Sequence, residues 1–480
     1  MNLRWFKFRV LLPVCLVGVI ILSGSLRVDP VLADTSAAEP TYIVQGGDTL
    51  WSIAQQFNVS LTDLETANDL SGSNIYAGEK LIIPGLEGIS GTLTVAQVQF
   101  GQTLSSLARQ YQMDEPLLSK LNHLVSPAQL YAGYNLIVLE KDNQSADFTR
   151  AELAKGETLL EMAVENKTDP WALVQDNELS GTWDSLPGET LGLPAAQANN
   201  DTSDFPAIFA SVQVDALPLV QGKTIQIKIS LKQTASLSGT LINYPLHFYP
   251  DGSNTFVALQ GIGAEIDPGI YPMQLDATLP DGTVQSFDQM VPVVSGGYPH
   301  DSIIYYVDPN TIDPQLTGPD AAKVNDFTAP STPDKYWDGK FVSPASIFVA
   351  SSYISSPFGI RRSYVGIGTN LTLETYHTGM DYAAGIGQPI VAPAAGIVVF
   401  TGPLVVCGNA TYIYHGWGVY SGICHESAIM VKVGQKVQQG EQIGLVGDTG
   451  RALGPNLHWE VWVNGVQVNP TQWLDEEFPH

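Results

Sequence analysis

The chain has 480 residues, enough for several domains, and carries 48 acidic against 22 basic residues for a formal net charge of −26. Such a balance repels phosphates and excludes a general nucleic-acid binder. Three cysteines exclude a disulfide-dense scaffold, and beyond the N-terminus no stretch is long and apolar enough to span a bilayer.

At the start, Arg4, Lys7 and Arg9 precede the apolar run 10–22, and Val31-Leu32-Ala33 stands before Asp34 as a cleavage site. Residues 1–33 read as a signal peptide, because the run is shorter than the ~20 residues of a membrane span. The polar gap between run and site leaves an uncleaved anchor as the alternative. In both cases the remainder is expected to be extracytoplasmic, secreted or in the cell envelope.

A repeat follows. Gly47-Asp48-Thr49-Leu50, Gly101-Gln102-Thr103-Leu104 and Gly156-Glu157-Thr158-Leu159 recur at steps of 54 and 55 residues, and Ala77-Gly78, Ala132-Gly133 and Pro187-Gly188 keep that step. Each unit opens on a β-like run such as Tyr42-Ile43-Val44. The motif Thr then caps an apolar-periodic helix, a second helix follows, and a strand such as Lys80-Leu81-Ile82-Ile83 returns. The pattern predicts β-α-α-β units over 41–84, 93–139 and 150–194. The first resembles the LysM module through Tyr42, Gly47-Asp48-Thr49-Leu50-Trp51, Ile53-Ala54, Asn68, Gly78 and Ile83-Pro84. The second does so through Leu104, Leu107-Ala108, Tyr111, Leu121-Asn122 and Tyr131-Ala132-Gly133, and the third is divergent, with a spacer lacking sugar affinity as its alternative. The resemblance implies binding of N-acetylglucosamine-containing glycan in peptidoglycan or chitin. Candidate contacts are Gly47, Asp48, Thr49, Ile75 and Tyr76.

Residues 195–204, rich in Ala, Asn, Asp and Ser, read as a linker. Beyond them Ile225-Gln226-Ile227-Lys228-Ile229-Ser230-Leu231 alternates as a half-buried strand, and turn signals recur at Asp251-Gly252, Pro268-Gly269 and Asp281-Gly282. This predicts an Ig-like β-sandwich over 205–294, with His247, Asp251 and Asp267 as surface and turn residues. The Pro/Asp/Thr-rich stretch 295–344 reads as an extended connector crossing the catalytic surface, with room for short helices.

The C-terminal part, 345–474, concentrates metal-ligating residue types. His377-Thr378-Gly379-Met380-Asp381 bends at Gly379, His425 follows the apolar run 419–424, and Asn456-Leu457-His458-Trp459-Glu460-Val461 alternates like a strand before Asn464-Gly465. Positions 456 and 458 therefore share one strand face. Imidazole nitrogen and carboxylate oxygen suit zinc, and three protein ligands leave a position for a water that becomes a nucleophile near neutral pH.

These residues resemble the lysostaphin-type, or LytM-type, zinc metallopeptidases of bacterial peptidoglycan. The resemblance extends through Ser356-Pro357-Phe358-Gly359-Ile360-Arg361, Gly387-Gln388-Pro389-Ile390-Val391-Ala392-Pro393, Val431-Lys432-Val433-Gly434-Gln435-Lys436-Val437 and Gly454-Pro455. It implies Zn²⁺ held by His377, Asp381 and His458. Catalytic roles fall to His425 and to position 456, which here is Asn instead of the family's His.

Two cysteines, Cys407 and Cys424, flank a hairpin expected to turn near His415-Gly416-Trp417-Gly418. Adjacent strands there place the sulfurs within a register slip of pairing, and an oxidising compartment favours a disulfide; two buried thiols are the alternative.

The expected fold class is multidomain: three small β-α-α-β LysM-like repeats, an Ig-like β-sandwich and a C-terminal, mainly antiparallel β peptidase domain. The expected function is that of a secreted zinc endopeptidase cutting peptidoglycan stem peptides or cross-bridges. The alternative is a peptidoglycan-binding regulator with an impaired, still zinc-binding peptidase domain.

Overall fold

In the first repeat, Thr49 accepts from the backbone N–H of Ser52 at the start of helix Leu50–Gln56, and Ser60 does the same for helix Leu61–Ala67. Strands Thr41–Ile43 and Lys80–Ile82 close the unit. The second repeat has the same layout, with strands Thr92–Gln97 and Asn135–Glu140 and helices Leu104–Gln110 and Glu115–Leu121. A third β-α-α-β unit runs from strand Phe148–Glu152 through helices Leu159–Glu165 and Pro170–Asp176 to strand Thr190–Pro194. This computed structural model describes residues 40–140, 148–194, 205–345 and 354–480, apart from positions 87, 88, 90, 112, 155, 167, 169, 178, 180 and 186–189. The expected signal segment 1–33 and linker 195–204 lie outside the described residues, apart from the linker's neighbours. No helix among the described residues is long and apolar enough to cross a membrane.

One amide recurs in all three units, half-buried in the first and buried in the other two. Asn68 donates to Leu64 O and Ile82 O and accepts from Ile82 N, tying the second helix to the return strand. Asn122 makes the same three bonds with Leu118 and Ile137, and Asn177 with Leu173 and Gly192. Such a satisfied group fixes the register of the strand against the helix pair. The first two units are more than neighbours: Thr41–Ile43 pairs in parallel with Thr92–Gln97, giving one four-stranded sheet over a common apolar core.

Residues 209–294 form two facing sheets. Strands Phe209–Val214, Thr224–Leu231, Thr255–Gly261 and Tyr249–Pro250 make one; Leu219–Val220, Val284–Val294, Gly269–Thr278, Ser236–Leu241 and Tyr244–Pro245 make the other. Ile225, Ile227 and Ile229 point into the core between them. Gln226, which strict alternation turns to solvent, is buried instead, because that face docks on the C-terminal region. Its amide exchanges hydrogen bonds with His480 N (2.9 Å) and His480 O (2.7 Å). Thr224 N donates to Gln472 Oε1 (2.8 Å), and Thr224 Oγ1 accepts from Trp473 Nε1 (3.0 Å). On the other flank, Gly101 N donates to Gln289 Oε1 (2.9 Å) and Ala132 N to Met290 O (3.2 Å), seating the second repeat on the sandwich.

The stretch 295–344 corrects the expectation of an extended connector. Strand His300–Val307 pairs in parallel with Arg361–Gly366, helix Pro314–Thr328 covers the catalytic sheet, and Trp337 and Phe341 are buried in the catalytic core. Asp313 caps the helix ahead of Pro314, a readable start signal. Gly318-Pro319 inside it reads as a break, since proline removes a helix hydrogen bond; tertiary contacts carry the helix through. Phe327 stacks on Phe400 at 4.9 Å, and Asp320 accepts a hydrogen bond from Val405 N.

The C-terminal region is built on one large sheet in the order Ile354–Ser356, Met380–Ala383, Asn456–Val463, Val419–Cys424, Gly408–Gly416, Gly396–Leu404 and Lys436–Val437, with antiparallel pairing throughout. Along Asn456–Val463, Leu457, Trp459 and Val461 enter the core, while Asn456, His458, Glu460 and Trp462 share the opposite face. That second face also carries Tyr412, Tyr414 and Tyr420, and Val324 of the Pro314–Thr328 helix packs there.

Candidate metal centre

His458 sits at the middle of the sheet, with Asp381 directly opposite on one neighbouring strand and Cys424 on the other. His377 arrives from the bend after strand Thr372–Tyr376. Gly379 is required there by close approach, since a Cβ would collide with Trp459 O and lie 2.8 Å from the His458 ring. The ligand atoms of His377, Asp381 and His458 all lie within 4.8 Å of one another.

Hydrogen bonds set which atoms face inward. His377 Nδ1 meets Pro357 O at 2.8 Å, so it carries the proton and Nε2 is bare. His458 Nε2 lies 3.4 Å from Glu460 Oε1, which turns Nδ1 inward. His377 Nε2 and His458 Nδ1 are 3.1 Å apart and stand 3.0 and 2.7 Å from Asp381 Oδ1. Three metal-ligating atoms converging on one point suit a cation, which would displace the proton shared between His458 Nδ1 and Asp381 Oδ1. The donor atoms of a tetrahedral zinc with bonds of about 2.0–2.1 Å are about 3.3 Å apart, so the set fits zinc with little movement.

Two further side chains hold the ligands. Arg362 donates to Asp381 Oδ2 (3.3 Å) and to Ser356 Oγ, leaving Oδ1 for the imidazoles. Glu460 is buried and accepts from Thr378 Oγ1 (2.7 Å), Gln467 Nε2 (2.9 Å), Tyr412 OH (3.1 Å) and Trp462 Nε1 (2.9 Å) as well as His458. Carboxylates behind ligand imidazoles orient the ring and raise its basicity. Burial opposes charge at Asp381, but His377 and His458 hold its carboxyl well below the ordinary range. Burial likewise depresses His458, yet its bonds to Asp381 and Glu460 prevail and raise it to about 9. Glu460 was legible as a strand neighbour of His458 two residues on; Arg362 carried no local signal.

His425 stands at the end of strand Val419–Cys424 with φ of +65°, an uncommon conformation for a side-chain-bearing residue. Its Nδ1 donates to Thr449 O (2.7 Å), and its ring centroid is 5.8 Å from that of His458. Burial, assisted by His458, pulls it down to about 4, so it is neutral at pH 7 with Nε2 free to take a proton. A disulfide joins Cys407 and Cys424, Cα atoms 4.7 Å apart, and His425 N donates to Cys407 O (2.7 Å), so the link braces the backbone presenting this ring. Asn456 lines the same cleft, of about 290 Å³. Its Nδ2 is turned to Gly454 O (2.9 Å), and its buried Oδ1 has no partner.

Residues 375–470 match Peptidase family M23, and residues 42–84 and 96–138 each match the LysM domain. The chain carries an M23 peptidase domain and two LysM domains. The M23 region is similar to the DD-carboxypeptidase/endopeptidase Mpg of Neisseria meningitidis serogroup B, 45% identical over 119 residues that make up 24% of this chain and 26% of that one. It is also similar to the peptidoglycan DD-endopeptidase ShyA of Vibrio cholerae serotype O1, 45% identical over 93 residues, 19% and 22% of the two chains. The chain thus spans about a quarter of the length of the curated relatives it matches. Among solved structures, the catalytic domain of lysostaphin from Staphylococcus simulans aligns at 29% identity with a TM-score of 0.21, covering 23% of this chain and 85% of that one.

In the LysM domains, the residues expected to touch glycan divide by role. Asp48 Oδ2 accepts from Tyr42 OH (2.9 Å) and Gln45 N (2.7 Å), Thr49 is a helix cap, and Gly47 has φ of +97°, so these three shape the turn. Ile75 is partly buried against the LysM core. Tyr76, 74% exposed, is free to stack on a sugar, and so is Trp51, 65% exposed, a motif residue outside the expected contacts.

Beside His425 in the M23 domain, Glu426 is fully buried, and burial, opposed only by the Thr411 hydroxyl, pushes its carboxyl up to about 8. From the ordinary carboxyl range up to about pH 8 the folded state keeps a proton that the unfolded chain has lost. Its contribution to stability therefore falls as pH rises through that window. Glu426→Gln, a mimic of the protonated form, is expected to melt above the wild type at pH 8, a gain of a few kcal/mol, and to match it near pH 5. An equal difference at both pH values in thermal melts would reject this account.

Proposed function

We propose that the chain is an extracytoplasmic, zinc-dependent endopeptidase that grips the glycan of peptidoglycan through its LysM domains and hydrolyses D,D-peptide bonds of cross-linked stem peptides. The observation that carries this reading is the convergence of three metal-ligating side chains, His377, Asp381 and His458, beside a neutral imidazole in an open cleft. Zinc held there would polarise the scissile carbonyl and make a bound water acidic. Arg362 and Glu460 keep the donor set in place. His425 Nε2 takes a proton from the attacking water and returns it to the leaving amine, the work of a general base and then acid. The names of the similar Neisseria and Vibrio proteins support the D,D-bond, and residues 1–33, read as an export signal, support the compartment.

A second reading, a wall-binding regulator that holds metal but cleaves little, is favoured by Asn456, an amide that cannot exchange a proton near neutral pH and whose Nδ2 is already engaged by Gly454 O. Digestion of purified peptidoglycan by the zinc-loaded chain, with mass spectrometry of the products, separates the two. New free amines at D,D-bonds are the expected result. Binding to the sacculus without release of any amine would establish the regulator.

A further inference from the structure

The cleft holds two guanidinium groups in opposite states. Arg362 is matched by Asp381, Ser356 and Tyr364. Arg451, on the turn leading into strand Asn456–Val463, has no carboxylate in ion-pairing distance among the described residues. Its side chain lies over the Tyr364 ring at 4.5 Å and donates to a single main-chain carbonyl, Thr311 O (3.2 Å). A guanidinium offers five N–H donors, so most are left for something else. Burial lowers the pKa of Arg451, the mark of surroundings that penalise its charge. A partly dehydrated, unpaired cation is costly, and in a chain with 48 acidic residues its isolation is not for want of partners.

Arg451 lines the same cleft as His377, Asp381, His425, Asn456 and His458. We infer that Arg451 is a specificity-determining residue that binds a free carboxylate carried by the substrate close to the scissile peptide bond. This rests on the hydrolytic reading above for the bond, and on the unpaired guanidinium for the carboxylate. The planar fork of the group suits a carboxylate in bidentate fashion, which a carboxamide cannot reproduce. Thr311, from the stretch preceding the catalytic sheet, positions the guanidinium, so that stretch forms one wall of the subsite.

The test uses the full, zinc-loaded chain and two synthetic cross-linked peptides that differ only in a free carboxylate or a carboxamide beside the scissile bond. Hydrolysis and calorimetric binding are measured on both. The wild type is expected to favour the carboxylate peptide by about tenfold or more in kcat/KM, mostly through KM, the scale of a charge-assisted pair. Arg451→Met should bring the ratio to near one, and Arg451→Lys should keep part of it. A variant that retains the full preference overturns the inference, as does an equal loss on both peptides accompanied by a lowered melting temperature, which marks a brace. If the wild type cleaves both peptides equally, the subsite falls and the endopeptidase stands. If it cleaves neither yet binds the carboxylate peptide about tenfold more tightly in an Arg451-dependent manner, the endopeptidase falls and the subsite stands. Absence of both cleavage and binding removes both.

Discussion

Asn456→His is expected to raise the initial rate of peptidoglycan cleavage at least about tenfold, part of the roughly 10²- to 10⁴-fold that a positioned acid or base contributes, with zinc content unchanged. Position 456 shares a strand face with His458 and lines the cleft, so its side chain meets whatever occupies the metal site. As an amide it has turned Nδ2 to Gly454 O and cannot exchange a proton with the negative charge that develops during carbonyl attack. An imidazole at this position supplies an N–H and can exchange its proton near neutral pH. The metal ligands are untouched by the change, so metal analysis of both forms should agree. Equal and fast rates in the two proteins would show that position 456 takes no part in the reaction; zero rates in both would point to the regulator.

His458→Ala should remove stoichiometric zinc and lower cleavage by about 10³-fold or more, the worth of several kcal/mol of Lewis-acid stabilisation. The loss should be local. Glu460 keeps four donors, from Thr378, Tyr412, Trp462 and Gln467, so the vacated position does not strand its carboxylate. The LysM core shares no residue with that of the catalytic sheet and should melt as before. Mass-spectrometric metal analysis and circular dichroism check both parts. Full zinc occupancy in the variant would mean that the donor set is wrongly assigned.

The parts of this architecture that were readable in the sequence are those encoded locally. The glycine-threonine motifs mark helix caps a few residues away, and the alternation around His458 places 456, 458 and 460 on one face by strand geometry alone. What escaped depends on distant partners. Gln226 is buried only because His480 and its surroundings reach it, and the helix Pro314–Thr328 survives an internal proline through contacts with Phe400 and Val405. Asp48 looked available for a ligand, yet Tyr42 and Gln45 already engage it. The isolation of Arg451 is a fact about what is missing around it, which no local pattern records.

The shared sheet of the two LysM units, followed by the hydrogen bonds from the second unit to the sandwich and from the sandwich to the C-terminal region, makes a chain of direct contacts. Modules strung on loose tethers sample a sphere of positions and gain only from proximity. Modules seated on one another by packed contacts behave more like a caliper. On the proposed reading, the metal site would stand at a preferred reach from whatever the LysM units grip, and the bonds of the wall at that offset would be cut first.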